Sequence, residues 1–289
     1  MQLNTGLFLN SLPEVEAAKV VLFGVPMDYT VCFRPGARFG PMHIRQASYG
    51  LEHYSMRYGD TLHNRRFFDA GDLVLPFGNA AVSLAQVRAF VRDVVMAGRH
   101  PFLLGGEHLV SLPAIHSVFE QYPNLHVLHF DAHADLADTY FGESVTHATV
   151  MRRVLDFLPH TQFHQFGIRS ADLPEVEFAR TAGLDHHPYE ILQPLRNSLA
   201  ALPQDTPLYV SLDIDVFDPA FAPGTGTPEA GGIMPNDWFN ALDVLRGRRI
   251  VGADVVEVAP QLDPTGCTAV LAAKMVREMM ITLFEEGTR

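Results

Sequence analysis

His126-Val-Leu-His-Phe-Asp-Ala-His-Ala-Asp135 is the stretch that decides how this chain is read. Val127, Leu128 and Phe130 make its first half an apolar, strand-like run that ends on acidic and imidazole side chains. In extended backbone, residues i, i+2 and i+4 point to the same side. Asp131, His133 and Asp135 can therefore converge on one point. A second piece, Val210-Ser-Leu-Asp213-Ile-Asp215, repeats the pattern with two carboxylates. Four carboxylates and an imidazole gathered in an apolar setting would repel and desolvate one another. A pair of divalent cations removes both problems, so the pattern points to a two-metal enzyme.

The neighbouring sequence explains where such a cluster would sit. Runs at Val20–Val25, 102–104, 127–131, 165–168, 208–214 and 250–257 read as short strands buried on both faces. Between many of them lie amphipathic stretches of helical period. In 83–97 the apolar positions are Leu84, Val87, Phe90, Val91, Val94 and Val95. Stretches 109–119, 235–245 and 268–284 read similarly. Near-continuous apolar strands alternating with helices predict an α/β fold, a parallel sheet with helices on both faces. Ligands then bind outside the carboxyl ends of the strands, which is where the Asp/His motifs fall. Without repeats, low-complexity tracts or linkers, a single domain over residues 1–289 is expected.

Acidic residues outnumber basic ones 33 to 21, for a net charge of −12, and 47% of residues are hydrophobic. This composition disfavours nucleic acid, whose phosphates need Lys and Arg, and favours a cationic substrate. Two divalent ions would leave −8 (−12 + 4), still acidic. The N-terminal stretch does not read as a signal peptide, and no apolar run is long enough to span a membrane. Cys32 and Cys267 form no ligand spacing and are expected as buried or partly buried free thiols in a reducing cytoplasm.

Four further segments carry chemistry. Gly105-Gly-Glu-His108 ends an apolar run in a tight turn that would aim His108 over the sheet edge. Residues 223–232, Pro-Gly-Thr-Gly-Thr-Pro-Glu-Ala-Gly-Gly, lack the Lys of a phosphate loop and read as a rim loop, with Asp218 as a turn anchor. Glu257 stands inside Val-rich sequence, where a carboxylate needs a cation, a metal or an Arg. His147 lies in a polar loop with Thr146 and Thr149. His63, His160, His164, His186 and His187 read as surface residues. Four Asp and two His without Cys make a hard donor set that favours Mn²⁺ over Fe²⁺, Co²⁺ or Zn²⁺. Two metals roughly 3.5–4 Å apart can share and activate a water.

Taken together, Gly105–His108, Asp131–Asp135, Ser211–Gly232, Val256–Pro260 and the segment Phe33-Arg-Pro-Gly-Ala-Arg-Phe-Gly-Pro41 resemble the ureohydrolase family of arginases and agmatinases, most of all its bacterial agmatinases. The resemblance spans nearly the whole chain. It implies a three-layer α/β/α sandwich around a mostly parallel sheet of roughly eight strands, with two Mn²⁺ per subunit. By motif, His108, Asp131, Asp135 and Asp213 would hold one ion; His133, Asp131, Asp213 and Asp215 would hold the other; and Asp131 and Asp213 would bridge. Asp135 would also accept a hydrogen bond from the attacking water. Glu257 would orient a guanidinium and His147 would shuttle protons. The family further implies a homo-oligomer, trimer or hexamer. Two departures leave the ligands intact: Glu107 replaces the usual aspartate and Ala134 a common threonine.

Arginases carry an Asn and a Ser between the second metal motif and the shuttle histidine, which hold the amino acid's carboxylate end. Here that stretch, 136–146, contains Asp138 and Glu143 and no Arg or Lys. An acidic loop suits a substrate ending in an amine, so agmatine, hydrolysed to putrescine and urea, is the expected substrate, with Asp138, Glu143 or Asp172 holding the amine. The nearest alternatives are guanidinobutyrate, formimidoylglutamate or arginine, whose carboxylates would need Arg34, Arg38 or Arg169. A single-zinc amide hydrolase and a non-catalytic regulator fit less well, because the ligand set and shuttle histidine are complete.

Overall fold

The computed structural model describes residues 6–284. Its strands are β1 (Val20–Val25), β2 (Tyr54–Ser55), β3 (Asp60–Thr61), β4 (Phe67–Asp72), β5 (His100–Gly105), β6 (His126–Phe130), β7 (Phe163–Ile168), β8 (Asp185–Pro188), β9 (Leu208–Asp213) and β10 (Ile250–Val256). The α-helices are α1 (Gly40–Ser48), α2 (Ala80–Met96), α3 (Ser111–Gln121), α4 (Val150–Val154), α5 (Leu173–Ala182), α6 (Leu192–Ala200), α7 (Pro235–Leu245) and α8 (Cys267–Leu283). Short β2 and β3 pair with each other; the other eight strands form one sheet in the order β4-β1-β5-β10-β9-β6-β7-β8. Every neighbouring pair in that sheet is parallel.

Central strands β1, β9 and β10 are buried along their whole length, because helices cover both faces. Ile44 of α1, Leu195 and Leu199 of α6, Trp238 of α7 and Met279 of α8 pack with Leu128, Phe130 and Val210 on one face. Val91 of α2, Ala114 of α3, Met151 of α4 and Ala179 of α5 pack with Val127, Phe163 and Tyr209 on the other. The result is the three-layer α/β/α sandwich with an eight-stranded parallel sheet. Residues i and i+1 of a strand enter opposite layers, so His129 and Phe130 face different cores although adjacent.

Two strands of the main sheet, the short β2–β3 pair and four helices, the five-residue α4 among them, escape the sequence pattern. Strands β4 and β8 are sheet edges and carry Asp69, Asp72, Asp185, His186 and His187, so they show no apolar run. Helices α1 and α5 begin with Pro at N1/N2, a first-turn position where the missing N–H costs nothing. Helix α6 carries Pro194 in its buried stripe. The cysteines correct an expectation: Cys32 and Cys267 are both free but exposed. So does His164, which is buried between His126 (Nε2 to Nδ1, 2.9 Å) and Asp185, whereas His63 is exposed. No helix among the described residues is long and apolar enough to cross a membrane.

Candidate metal centre

Four adjacent central strands, β5, β10, β9 and β6, deliver the site from their carboxyl ends. Strand β5 runs into Gly105-Gly106-Glu107 and then His108. A side chain on Gly106 would place its Cβ 1.8 Å from the Met27 carbonyl oxygen. Only glycine lets the loop after β1 pack onto the loop after β5, where Glu107 N donates to Met27 O at 2.7 Å. Asp131 follows β6, Asp213 ends β9, and Glu257 follows β10. Asp135 and Glu257 have φ of +55° and +61°. Non-glycine residues rarely hold this left-handed region, and such strain concentrates at functional sites.

The six residues expected as metal ligands come together. His108 Nδ1 lies 3.0 Å from Asp131 Oδ2, 3.2 Å from Asp135 Oδ2 and 3.3 Å from Asp213 Oδ2. His133 Nδ1 lies 2.9 Å from Asp215 Oδ2 and 3.6 Å from Asp131 Oδ1. Asp131 thus turns one oxygen to each imidazole, as a bridging carboxylate would. Asp213 turns only Oδ2 inward; its Oδ1 accepts the Asp215 N–H at 2.8 Å. Five of the six are buried, and His133 is partly so.

Two observations fit this cluster to cations. His108 Nδ1 and Asp215 Oδ2 are fully buried without a hydrogen-bond partner, although such atoms in folded proteins are normally satisfied. Nδ1 faces three carboxylates at once yet has hydrogen-bond geometry to none, which is how ligands converging on one ion are arranged. The charges agree. Burial should suppress the imidazolium of His108, but the facing carboxylates of Asp131, Asp135 and Asp213 outweigh it and hold its pKa well above the imidazole range. Burial likewise opposes the His133 imidazolium, and the charges of Asp215 and Asp131 prevail. Burial and then the Asp131 charge push Asp135 up to about 7. The metal-free cluster balances its carboxylates with protons; divalent ions would replace them.

The His108 imidazole is also oriented for a ligand role. Ser211 Oγ donates to Asp254 Oδ1 at 2.8 Å, so its oxygen can only accept from His108 Nε2, 3.0 Å away. Nε2 keeps its proton, and Nδ1, once it gives up its own, is the nitrogen that would face an ion. His129, whose role the sequence did not disclose, lies beside Asp131 with Nε2 2.9 Å from Oδ2. Its Nδ1 accepts from Gln165 Nε2 at 3.0 Å. With both nitrogens engaged, it steadies the bridging carboxylate. Such partners of metal ligands are signals of position, legible only in three dimensions.

A cavity of about 250 Å³ opens over the cluster, lined by the six residues with Glu257, His147, Cys32, Tyr140, Ser170, Asp172, Glu175 and Thr227. Among the described residues Glu257 has no Arg partner; its Oε1 accepts the His108 N–H at 2.7 Å, and burial, then the Glu107 charge, push it up to about 8. Burial lowers His147 to about 4, so it is a neutral base at pH 7.

Other expectations are corrected here. Asp138 pairs with Arg153 at 3.0 Å outside the cavity, and Glu143 sits exposed in a turn with Tyr140. Neither lines the cavity, because the 136–146 loop folds back on itself and α4. The acidic side chains that do reach it, Asp172 and Glu175, come from the start of α5. Arg38 is paired with Asp28. Arg169 is spent on carbonyls of Gly167, Asp215, Val216 and Glu229, and Arg34 braces those of Thr225 and Gly226. The loop 223–232 is a rim, as its composition implies, and Asp218 anchors it by accepting from Ala220, Gly231 and Gly232 N–H groups.

Known proteins share both the sequence and this architecture. A profile of the Arginase family matches residues 18–282. Over 276 residues the chain is 45% identical to the agmatinase of Bacillus anthracis, covering 95% of each, and 44% identical to that of Bacillus subtilis, again over 95% of each. The crystal structure of agmatine ureohydrolase of Thermoplasma volcanium superposes with a TM-score of 0.88 at 29% identity, over 98% of this chain and 95% of that one. Sequence, fold and the acidic cluster at the carboxyl edge of the sheet agree, and the chain belongs to the arginase family.

Proposed function

We propose that this hydrolase of guanidino groups acts on agmatine, releasing putrescine and urea, with two Mn²⁺ ions held by His108, Asp131, Asp135 and Asp213 on one side and His133, Asp131, Asp213 and Asp215 on the other. One observation carries the substrate: the cavity lining includes Asp172 and Glu175 and no Lys or Arg. Glu175 already accepts Leu136 and Asp172 N–H groups at 2.9 Å through its two oxygens, so the exposed Asp172 is the carboxylate available to a distal ammonium. A substrate ending in a carboxylate would meet repulsion there, and the three arginines that could answer it are engaged elsewhere.

Two divalent ions at this centre would supply Lewis acidity and an activated water. The protein's own residues do the rest. Glu257 pairs with the guanidinium and holds its carbon over the cluster, removing the entropy of alignment from the chemical step. Asp135 accepts a hydrogen bond from the attacking water. The departing amine would be far too basic as an anion; His147, a neutral base facing the cavity, takes a proton released by the attacking water and passes it to that amine. Assembly as a trimer or hexamer is part of the same reading and is measurable by light scattering.

Urea release from agmatine, arginine and 4-guanidinobutyrate, with Mn²⁺ added, tests the substrate. Preference for agmatine is expected; preference for either carboxylate-bearing compound overturns the assignment of Asp172.

A further inference from the structure

Glu107 is the residue at which this chain departs from the aspartate usual beside the ligand histidine, and its extra methylene has a destination. The carboxylate is fully buried. Oε1 accepts the Tyr29 N–H at 3.1 Å, and Oε2 accepts both the Thr30 N–H at 2.9 Å and the Thr30 hydroxyl at 2.7 Å. Thr30 in turn touches the proton carrier proposed above. Its Oγ1 accepts the His147 backbone N–H at 3.0 Å and lies 3.3 Å from His147 Nδ1.

With Glu107 as the carboxylate, which accepts the Tyr29 and Thr30 N–H groups, the directions of these bonds follow. A hydroxyl has one proton, and that of Thr30 is committed to Glu107. Towards His147 the oxygen can only accept. A neutral imidazole whose Nδ1 meets an acceptor carries its proton on Nδ1, which leaves a lone pair on Nε2. The loop bearing Thr30 is stitched to the loop bearing Glu107 through Gly106 N to Val25 O (2.9 Å) and Glu107 N to Met27 O (2.7 Å), so the relay sits on fixed backbone.

We propose that Glu107 and Thr30 are positioning residues that set the tautomer of His147, leaving Nε2 as the nitrogen that exchanges a proton in the cavity. The logic is that of a base oriented by a third group, with a hydroxyl inserted between carboxylate and ring. The proposal rests on the proton-carrying role of His147.

The near-isosteric Thr30→Val tests it beside Thr30→Ser. Thr30→Val should lower kcat by about 10- to 100-fold, a part of what general acid–base catalysis supplies, with KM and metal content within about twofold of wild type. Thr30→Ser, which restores the hydroxyl, should return kcat to within about threefold on the same scale. Glu107→Gln added to Thr30→Val should cost nothing further in kcat, because both act through one relay. A readout independent of turnover is the ¹⁵N shift of the His147 ring in protein loaded with diamagnetic Zn²⁺, assigned by loss of the signal in His147→Asn. Nδ1 should be the protonated nitrogen in the wild type, and Nε2–H should become populated in Thr30→Val. That reading holds whichever guanidino compound is the substrate, so failure of the agmatine assignment leaves it intact. Nε2–H in the wild type, or wild-type kcat in Thr30→Val, overturns the proposal. Should Thr30→Val not fold, the wild-type tautomer and Glu107→Gln alone decide the matter in the same way.

Discussion

Two acidic clusters lie in the same sheet, one pairing a buried Asp69 with an exposed Asp72 and the other buried throughout its carboxylates, and they are resolved in opposite ways. At the β4 edge, Asp69 and Asp72 meet Arg45: its Nε and Nη2 reach the two Asp69 oxygens at 2.7 and 2.8 Å, its Nη1 pairs with Asp72, and Nη2 also donates to Gly71 O at 3.0 Å. The Phe8 and Gly71 N–H groups complete Asp69 at 2.7 and 3.0 Å. The buried Asp69 charge is matched by Arg45 of the same chain, and Asp72 shares that guanidinium while staying in contact with water. At the carboxyl ends of β6 and β9, the carboxylates of Asp131, Asp135, Asp213 and Asp215 form no ion pair with an Arg or Lys among the described residues, only with His108, His129 and His133. Those imidazoles are too few for four carboxylates, and two buried atoms remain unpartnered. The first cluster is a finished structural knot; the second is complete only with cations.

The contrast is broken most sharply at Asp215. Asp215→Ala should leave the fold intact, strip one metal position and cut turnover on the order of 10³-fold, since an activated water is the main gift of such a centre; elemental analysis beside urea release checks it. Full metal content with normal turnover would remove Asp215 from the ligand set.

Arg45→Met is the mirror experiment. It leaves Asp69 buried and unpaired and should cost about 3–5 kcal/mol, read by urea denaturation, while activity per folded molecule and metal content stay unchanged. Loss of metal in that variant would mean that the two clusters are not independent.

The third effect is one of pH. His108 and His133 hold protons in the metal-free protein well above the usual imidazole range. Ions bind only after those protons leave, so affinity must fall as pH falls. A weakening of about tenfold per pH unit for each proton displaced is expected. Calorimetry in buffers of different ionisation heat counts those protons directly. Affinity that is flat from pH 8 to 6 contradicts the proton-balanced cluster, and the knot held by the Arg45 guanidinium, which its carboxylates keep charged, should show no such dependence.

The smallest effect is at the cavity rim. Asp172→Asn should raise KM for agmatine by about tenfold, roughly the 1.4 kcal/mol of one exposed charge-assisted contact, with kcat little changed. An unaltered KM would move amine recognition to Glu175 or Tyr140.

How much of this was legible follows from where the residues lie along the chain. The metal-type cluster was, because Asp131, His133 and Asp135, and then Asp213 and Asp215, are neighbours at a period of two, and each pair or triplet ends an apolar strand. The buried central strands were legible for the same reason. Edge strands β4 and β8 were not: an edge buries less, so polar residues replace the apolar run that marks a strand. Nor could the loop 136–146 be judged from its charges. Asp138 and Glu143 looked like substrate ligands, but Asp138 found Arg153 and Glu143 faced solvent, whereas Asp172, far along the chain, reached the cavity.

The sequence by itself determined the alternation of apolar strands and helices, the hard donor set and its place at the strand ends, since period, hydrophobicity and ligand chemistry are local properties. Only the tertiary structure decided which arginines are spent on backbone carbonyls, which carboxylates face the cavity, that His129 and Ser211 steady the ligands, and that Glu107 reaches His147 through Thr30. Apart from neighbours such as His129 and Asp131, those facts are distances between residues tens to hundreds of positions apart, and hydrogen bonds and charges act through space, not along the chain.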